Sequence, residues 1–345
     1  MYNTYRIIYG DCLKALVLHA PGKLEVMDVD DPVPNGEWVR IKVRRVGICG
    51  TDKAFYKGTY KPLKQPIIPG HEISGIIDMV GEKAPYELIG HKVTTEINIH
   101  CRQCWYCRNG MPTHCPYRET IGISRDGGMA EYVLTRYDLI HIADDLDFDE
   151  LALIEPFAAV IEMNEMEPIR EGSNIAVLGI GTIGLLSIQL LKLYNPDKII
   201  AITRPDSPKA KYAYMMGADE VLSFEEAVEY MEKYTPEGQG FDYVVEATGS
   251  PKGLEMALKL VRPRGVIAAK STHGSRVSFD YTYMIVKEVR LIGSRCGPFD
   301  KALKIVRTHN IKLKELVTEA YPLEKGVEAF KASFRRENVK VQIEV

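Results

Sequence analysis

The 345-residue sequence has no apolar run long enough to cross a bilayer and no strong excess of either charge. Its formal net charge is −3 and its basic residues are scattered, which argues against a surface that binds nucleic acid. Residues 1–10 are polar and rich in tyrosine, unlike a hydrophobic leader. With 46% hydrophobic and 26% charged residues, the composition is typical of a globular protein of about two domains. We therefore expect a cytoplasmic protein that binds neither nucleic acid nor membrane.

Cysteine is scarce as well, with seven residues in the chain, yet four of them stand close together. They follow the pattern C-x2-C-x2-C-x7-C, at Cys101, Cys104, Cys107 and Cys115. Two-residue gaps let successive thiolates turn toward one ion, so the pattern predicts tetrahedral zinc ahead of disulfides or free thiols. Four protein ligands close the site, which makes this zinc structural rather than catalytic.

Two kinds of pattern divide the chain. Up to about residue 133 the sequence predicts short strands broken by glycine and proline, for example at 15–18, 38–46 and 72–80. From residue 174 apolar strands alternate with helices, which predicts a doubly wound parallel sheet of the α/β class. The predicted strands are 174–178, 198–203, 241–246, 265–270 and 289–293, and the helices are 180–194, 207–216 and 252–261. The tail ends in an alternating strand at 339–343 and is expected to return to the first domain, while residues 1–13 have no assigned role.

A glycine fingerprint G-x-G-x-x-G joins the first of these α/β strands to its helix and predicts dinucleotide binding. The first glycine permits a tight turn, the second lets the backbone approach a pyrophosphate, and the third lets the helix pack closely on the strand. The helix N-terminus also presents a positive dipole to the phosphates. The candidate cofactor-binding residues here are Gly179, Ile180, Gly181, Thr182, Ile183 and Gly184.

The end of the next strand favours NADP over NAD. An NAD site usually has an acidic residue there, whereas this chain has Thr203 and Arg204. A guanidinium can bind a 2′-phosphate through two hydrogen bonds, and Lys209 and Lys211 add positive charge unless they are simply solvated. Asp206 lies nearby and leaves NAD open as the alternative.

Several motifs together resemble those of the zinc-containing medium-chain alcohol dehydrogenase family, over nearly the whole chain and in the family's order. They are the cysteine cluster, the glycine fingerprint, Gly-Ile-Cys-Gly-Thr-Asp at 47–52, Gly-His-Glu-Ile-Ser-Gly at 70–75 and Gly-Gly-Met-Ala-Glu-Tyr at 127–132. The resemblance implies a GroES-like β-rich catalytic domain plus a Rossmann domain, with the reaction in the cleft between them. The expected bounds are 1–160 and 305–345 for the catalytic domain, with a structural zinc lobe at about 98–118, and 161–304 for the Rossmann domain.

The resemblance also implies a second, catalytic zinc, which gives two zinc ions per chain. Cys49 and His71 correspond to its first two ligands, and either Glu72 or Glu155 supplies the third. The polyol, aldose and threonine dehydrogenases of the family use glutamate at such positions, whereas the simple-alcohol branch uses cysteine at the later one. The residue at that later position is Glu155 here, so the resemblance implies the polyol, aldose and threonine dehydrogenase-like branch.

Further roles follow from the same resemblance. Thr51 corresponds to the hydroxyl that accepts the substrate proton, and Asp52 to the carboxylate that orients His71, although Gly-Thr-Asp also suits an ordinary turn. Many family members continue the proton path with a histidine where this chain has Ala54. Thr248 corresponds to a residue that lies along the cofactor.

The expected function is therefore zinc-dependent oxidation of a polyol, sugar or secondary alcohol by hydride transfer to NADP or NAD. A threonine-type amino alcohol is an alternative substrate. A protein of another class, a zinc-stapled dinucleotide-binding protein without activity, is the alternative function. By family analogy we expect a homo-oligomer, either a dimer or a tetramer.

Overall fold

The computed structural model describes residues 12–345. Residues 1–11 lie outside the described residues, and with them the polar start of the chain and most of the 1–13 segment that has no assigned role. A seven-stranded sheet and a six-stranded sheet form the two halves of the structure. Within residues 12–345, no helix combines the length and apolar character needed to cross a membrane.

The first half of the chain is rich in strands, as predicted. Its strands are β1 (Cys12–Ala20), β2 (Lys23–Asp30), β3 (Trp38–Gly47), β4 (Glu72–Val80), β5 (Lys92–Thr95), β6 (Asn98–Ile99), β7 (Glu119–Thr120), β8 (Tyr132–Arg136) and β9 (Ile140–Ile142). Its helices are α1 (Gly50–Lys57), α2 (Trp105–Arg108), α3 (Phe148–Leu151) and the longer α4 (Ile154–Met166). Side chains of β3, β4, β5 and β8 build its buried apolar core.

The second half alternates strand and helix. The strands are β10 (Asn174–Leu178), β11 (Lys198–Ile202), β12 (Glu220–Leu222), β13 (Phe241–Glu246), β14 (Val261–Ala269) and β15 (Arg290–Gly293). The helices are α5 (Thr182–Lys192), α6 (Ala210–Met216), α7 (Phe224–Tyr234), α8 (Gly253–Leu260), α9 (Tyr281–Val286) and α10 (Phe299–Thr308). All strand pairs are parallel, in the order β12-β11-β10-β13-β14-β15, which confirms the predicted doubly wound sheet.

Some element bounds differ from those predicted. The helix predicted from 207 begins at Ala210, and Asp206 before it has a left-handed backbone with φ 54°. The sequence analysis also missed β12 and α7. The strand has only three residues, of which the first is exposed, so it lacks the continuous apolar run that identified the others.

The tail returns to the first sheet, as expected. It forms β16 (Val317–Pro322), α11 (Gly326–Ser333) and β17 (Lys340–Glu344). β17 pairs antiparallel with β3, with Gln342 opposite Gly47, and parallel with β16. The sheet order is β16-β17-β3-β4-β5-β9, with β8 also paired to β3. The tail thereby lies beside the segment that carries Cys49, although the exact domain bounds stay a prediction.

Candidate active site and metal centres

Asp52 joins the two chain segments that carry Cys49 and His71. β3 ends at Gly47, and Cys49 is the N-cap of α1. The buried Asp52 carboxylate accepts a hydrogen bond from the Cys49 backbone N–H at 2.8 Å and another from the Gly70 N–H at 3.3 Å. The capping geometry of this helix therefore fixes both candidate ligands relative to each other.

The His71 imidazole is almost fully buried, with 4% of its surface exposed. Its Nδ1 lies 3.7 Å from Asp52 Oδ1, which is beyond hydrogen-bond reach, and it has no other partner among the described residues. Burial lowers the pKa of His71, but Asp52, Cys49 and Glu155 outweigh it and raise that pKa well above its ordinary value. Nδ1 is thus aimed at the carboxylate that would orient it, which leaves Nε2 for a metal.

The two candidate glutamates have different surroundings. Glu72 is buried, and its Oε1 and Oε2 accept hydrogen bonds from Lys340 Nζ at 2.7 and 2.6 Å. Glu155, the second residue of α4, accepts no hydrogen bond from any residue in the described range, and burial raises the pKa of its carboxyl to about 7. Glu72 is thus neutralised by a protein cation, whereas the Glu155 carboxylate is not.

Cys49, His71 and Glu155 share one buried region, where their charges affect each other. The sulfur, nitrogen and oxygen atoms of these three residues do not all lie within 4.8 Å of one another. In residues 12–345 only two other clusters of potential metal ligands meet that distance of 4.8 Å. Sulfur, imidazole nitrogen and carboxylate oxygen are nevertheless the donors that catalytic zinc takes, and the unpartnered Glu155 carboxylate fits a site completed by a cation.

Thr51 and Ala54 occupy neighbouring positions on α1. Thr51 is half-buried, and its hydroxyl makes no hydrogen bond within the described part of the chain, so it is free to bind a ligand. Ala54 is buried and offers no polar group. A proton leaving Thr51 finds no relay group at this second position.

The four-cysteine lobe brings its sulfur atoms together. Cys104 Sγ lies 3.4 Å from Cys107 Sγ and 3.8 Å from Cys115 Sγ, and Cys101 Sγ lies 3.9 Å from Cys107 Sγ. Tetrahedral zinc with Zn–S bonds of about 2.3 Å requires sulfur separations of roughly 3.8 Å, whereas a disulfide requires about 2 Å. The thiols are free and the spacing fits zinc rather than the disulfide alternative.

The thiol pKa values differ within the lobe. A hydrogen bond from the Gln103 backbone N–H lowers the pKa of Cys101 to about 6. Desolvation and hydrogen bonds with the neighbouring thiols raise the pKa of Cys107 to about 12. A divalent cation is the group that would hold all four as thiolates.

Each glycine of the fingerprint has the environment that its predicted role requires. Gly179 has φ +99°, and a Cβ there would lie 2.6 Å from the Ala247 carbonyl oxygen. Gly181 is the N-cap of α5 and has open space around it, where a ligand can approach the backbone. A Cβ on Gly184 would lie 1.9 Å from the Gly179 carbonyl oxygen, so the helix could not pack as it does.

Positive charge gathers at the end of β11. Arg204 and Lys209 lie close enough that Arg204 helps burial to lower the pKa of Lys209, and neither forms an ion pair within residues 12–345. The Lys211 ammonium lies instead over the Tyr212 ring, 5.1 Å from its centroid. Thr203 follows β11, and its N–H donates to Leu222. This arrangement suits a phosphate on the adenosine ribose.

Thr248 lies against the fingerprint, with its Cα 2.9 Å from the position of a Cβ on Gly179. Its hydroxyl donates to Glu246 Oε1 at 2.6 Å, and Ser271 Oγ donates to the same oxygen at 2.8 Å. Glu246 therefore holds together the chain segments that follow β13 and β14, beside the glycine fingerprint. The sequence analysis missed this role.

Two lysines near the site were also missed. Lys340, on the tail strand, neutralises Glu72. The sequence feature that could have identified this lysine is its position between two valines in a predicted strand. Lys53 on α1 has its pKa lowered to about 8, first by burial and then by Lys340 and Lys209. The sequence around Lys53 does not indicate the lowered pKa, because the lysines that lower it come from distant segments of the chain.

Two sequence families match the chain. The alcohol dehydrogenase GroES-like domain matches residues 35–145, and the zinc-binding dehydrogenase family matches residues 182–308. These matches, and the two sheets above, confirm the predicted combination of a GroES-like and a Rossmann domain.

Full-length relatives agree with these matches. D-arabitol-phosphate dehydrogenase of Enterococcus avium is 31% identical over 342 residues, covering 96% of this chain and 97% of that protein. Sorbitol dehydrogenase of Halalkalibacterium halodurans is 30% identical, covering 95% and 98%. L-threonine 3-dehydrogenase of Pyrococcus abyssi is 28% identical, covering 90% of each chain.

Solved structures share the whole fold. A zinc-binding dehydrogenase from Sinorhizobium meliloti, bound to NADP, superposes with a TM-score of 0.88 at 28% identity and covers 97% of this chain and 100% of its own. An Escherichia coli alcohol dehydrogenase, RspB, in complex with NADH superposes with a TM-score of 0.86 at 25% identity, with coverage of 97% and 100%.

Proposed function

This chain belongs to the zinc-binding alcohol dehydrogenase family with a GroES-like domain, and we propose that it oxidises a polyol, sugar or secondary alcohol by hydride transfer to a nicotinamide. It is an oxidoreductase that acts on CH–OH groups. The observation that carries the proposal is that Cys49 and the unpartnered Glu155 lie near enough to the buried His71 for their charges to act on it. The names of the arabitol-phosphate and sorbitol relatives support the polyol class.

The catalytic zinc would be held by Cys49, His71 and Glu155. We favour Glu155 over Glu72 as third ligand because Lys340 already neutralises Glu72. When bound, zinc supplies Lewis-acid polarisation of the substrate oxygen. Asp52 orients His71 by approaching Nδ1, and Thr51 takes the substrate proton through a hydroxyl that has no partner among residues 12–345.

The cofactor and the second metal complete the proposal. Arg204 and Lys209 support NADP over NAD, since their charges meet no carboxylate within ion-pair distance among the described residues. The NADP-bound and NADH-bound relatives support a nicotinamide cofactor of either kind. The cysteine lobe would hold a structural zinc, for two zinc ions per chain.

We further propose a cytoplasmic homo-oligomer that binds neither nucleic acid nor membrane. β15 is the last strand of the Rossmann sheet, and exposed apolar side chains lie beside it, among them Tyr281, Val286 and Leu291. Such a surface supports self-association. Sedimentation across a range of protein concentrations measures it, and a monomer at every concentration would contradict it.

A substrate panel tests the activity. Zinc-loaded protein is assayed with NADP and NAD on polyols, polyol phosphates, simple alcohols and L-threonine. We expect the highest kcat/KM on a polyol or its phosphate. Preference for L-threonine would favour the amino-alcohol alternative, and activity on apolar alcohols alone would refute the polyol class. No turnover with any pair, despite cofactor binding, would favour the non-catalytic alternative.

A further inference from the structure

A lysine ammonium at the end of β14 makes three hydrogen bonds and no ion pair with any residue from 12 to 345. Lys270 Nζ donates to the Ala159 carbonyl at 2.7 Å, and to the Ser294 carbonyl and the Ser294 hydroxyl, both at 2.8 Å. An ammonium has three protons, so all of its donors are used. The three bonds connect the end of β14 to α4 and to the loop that follows β15.

Packing alone does not explain why a lysine occupies this position, because burying its ammonium costs free energy. Taking an ammonium out of water is unfavourable, and burial lowers the pKa of Lys270 to about 8, because the charges of Cys296, Glu155 and Glu162 offset it only in part. An apolar side chain would fill the same space without that cost. The geometry is therefore better explained by what the three bonds hold in place.

The first element held by Lys270 is the helix that carries Glu155. Ala159 lies four residues after Glu155 on α4, about one helical turn away. The bond to its carbonyl therefore acts on the turn of α4 that positions the proposed zinc ligand.

The second element is the loop that follows β15, residues 294–297. A Cβ on Gly297 would lie 1.8 Å from the Ala158 carbonyl oxygen, so the loop lies directly on α4. Cys296 has a left-handed backbone with φ 43°, and its Sγ accepts a hydrogen bond from Asn98 Nδ2 at 3.3 Å. The loop is thus held tightly between α4 and the first domain.

Both elements meet where the proposed reaction occurs. The loop leaves the carboxyl edge of the parallel sheet, the edge at which dinucleotides bind. α4 presents Glu155 to the same region. Any movement of the loop relative to α4 would change the position of Glu155 relative to the cofactor.

We propose that Lys270 is a positioning residue for the dehydrogenase reaction, which ties the Glu155 helix to the loop at the carboxyl edge of β15. The inference rests on the proposed function. Lys270 contacts neither substrate nor metal in this account, and it acts through α4 and the loop.

The chain offers a matched control in Lys287. Lys287 is buried, and its Nζ donates only to backbone carbonyls, those of Leu258 and Val261. Those carbonyls belong to α8 and β14, not to α4 or the 294–297 loop. Lys270→Met and Lys287→Met therefore each remove an ammonium that donates to backbone carbonyls, but only the first removes the tie.

The first measurement is hydrogen exchange in the full chain, which does not depend on turnover. Lys270→Met should make amides of 294–297 exchange about tenfold faster or more, because the loop loses two of its hydrogen bonds, while Lys287→Met leaves them unchanged. Ser294→Ala, which removes one acceptor, should give a smaller increase and serves if Lys270→Met fails to fold. Exchange equal to wild type in both Lys270→Met and Ser294→Ala would overturn the tie.

The second measurement is steady-state kinetics with the best substrate of the wild type. Lys270→Met should lower kcat by about 10- to 100-fold, with the substrate KM changed less than about threefold and zinc content intact. Lys287→Met should retain kcat. Equal losses in both lysine variants would assign the effect to stability and overturn the inference, as would an unchanged kcat in Lys270→Met. If the wild type shows no turnover, the proposed function is refuted. If the 294–297 loop also exchanges at the wild-type rate in Lys270→Met, the tie is refuted as well.

Discussion

The buried ion pair between Lys340 and Glu72 gives the sharpest prediction on stability. The Lys340 side chain is 3% exposed and that of Glu72 is 1% exposed, with both carboxylate oxygens bonded to the ammonium. Lys340→Met keeps the length of the side chain but leaves a buried carboxylate without a counter-charge. Removing one partner of such a pair costs about 3–5 kcal/mol.

A double-mutant cycle measures the pairing itself. Glu72→Gln leaves the ammonium unpaired and should also destabilise the protein. The double variant Glu72→Gln/Lys340→Met removes both charges, and replacing a whole buried pair is roughly neutral or stabilising. We therefore expect the double variant to be more stable than Lys340→Met, by about 2 kcal/mol or more.

Urea unfolding of zinc-loaded protein, followed by circular dichroism, gives the four free energies of unfolding. Zinc content is measured for each variant, so that loss of metal is separated from loss of the pair. Additive effects of the two single substitutions would refute the coupling. A cost below about 1 kcal/mol for Lys340→Met would refute the buried-charge argument.

Three further predictions concern pH, cofactor choice and the proton path. His141 Nε2 lies 3.1 Å from Glu96 and its Nδ1 lies 2.7 Å from Asp300, and these carboxylates raise its pKa against the opposing effect of burial. A raised histidine pKa stabilises the protein fully below its unfolded value of about 6.5 and loses this effect as pH rises through the folded value. In urea unfolding, the stability deficit of His141→Gln should therefore be largest near pH 6 and shrink toward about pH 8.5, and a deficit independent of pH would contradict the assignment. Arg204→Asp should lower the NADP-to-NAD ratio of kcat/KM by about tenfold to a hundredfold, and an unchanged ratio would remove this residue from the 2′-phosphate site. Thr51→Val should lower kcat by about a hundredfold or more while Thr51→Ser retains most of it, and equal rates would show that the hydroxyl carries no proton.

Local patterns predicted the strands and the glycine turn well. The predicted bounds 72–80, 174–178 and 241–246 are those observed, and the first two strands stop directly before Gly81 and Gly179. The predicted helix at 180–194 is observed as α5, which starts two residues later because Gly181 has an extended backbone and acts as its N-cap. Local sequence therefore identifies elements better than their ends.

Contacts between distant segments were beyond the sequence patterns. Glu72 and Lys340 are 268 residues apart, and Lys270 reaches carbonyls 111 and 24 residues away. No periodicity or motif encodes such pairs, because they depend on how β17, α4 and the 294–297 loop assemble. The choice between Glu72 and Glu155, left open by the motifs, is one that only these contacts address.

Zinc content per chain, together with NADP-linked turnover of a polyol, is the most direct test of the central claim. It is measured on wild type, on Cys49→Ser and on Cys107→Ser, which alters the structural lobe alone. The account predicts two zinc ions in the wild type and one in each variant, with turnover abolished in Cys49→Ser. A wild type and a Cys49→Ser variant that both hold one zinc ion and show no turnover would contradict it, and the protein would then be a zinc-stapled dinucleotide-binding protein.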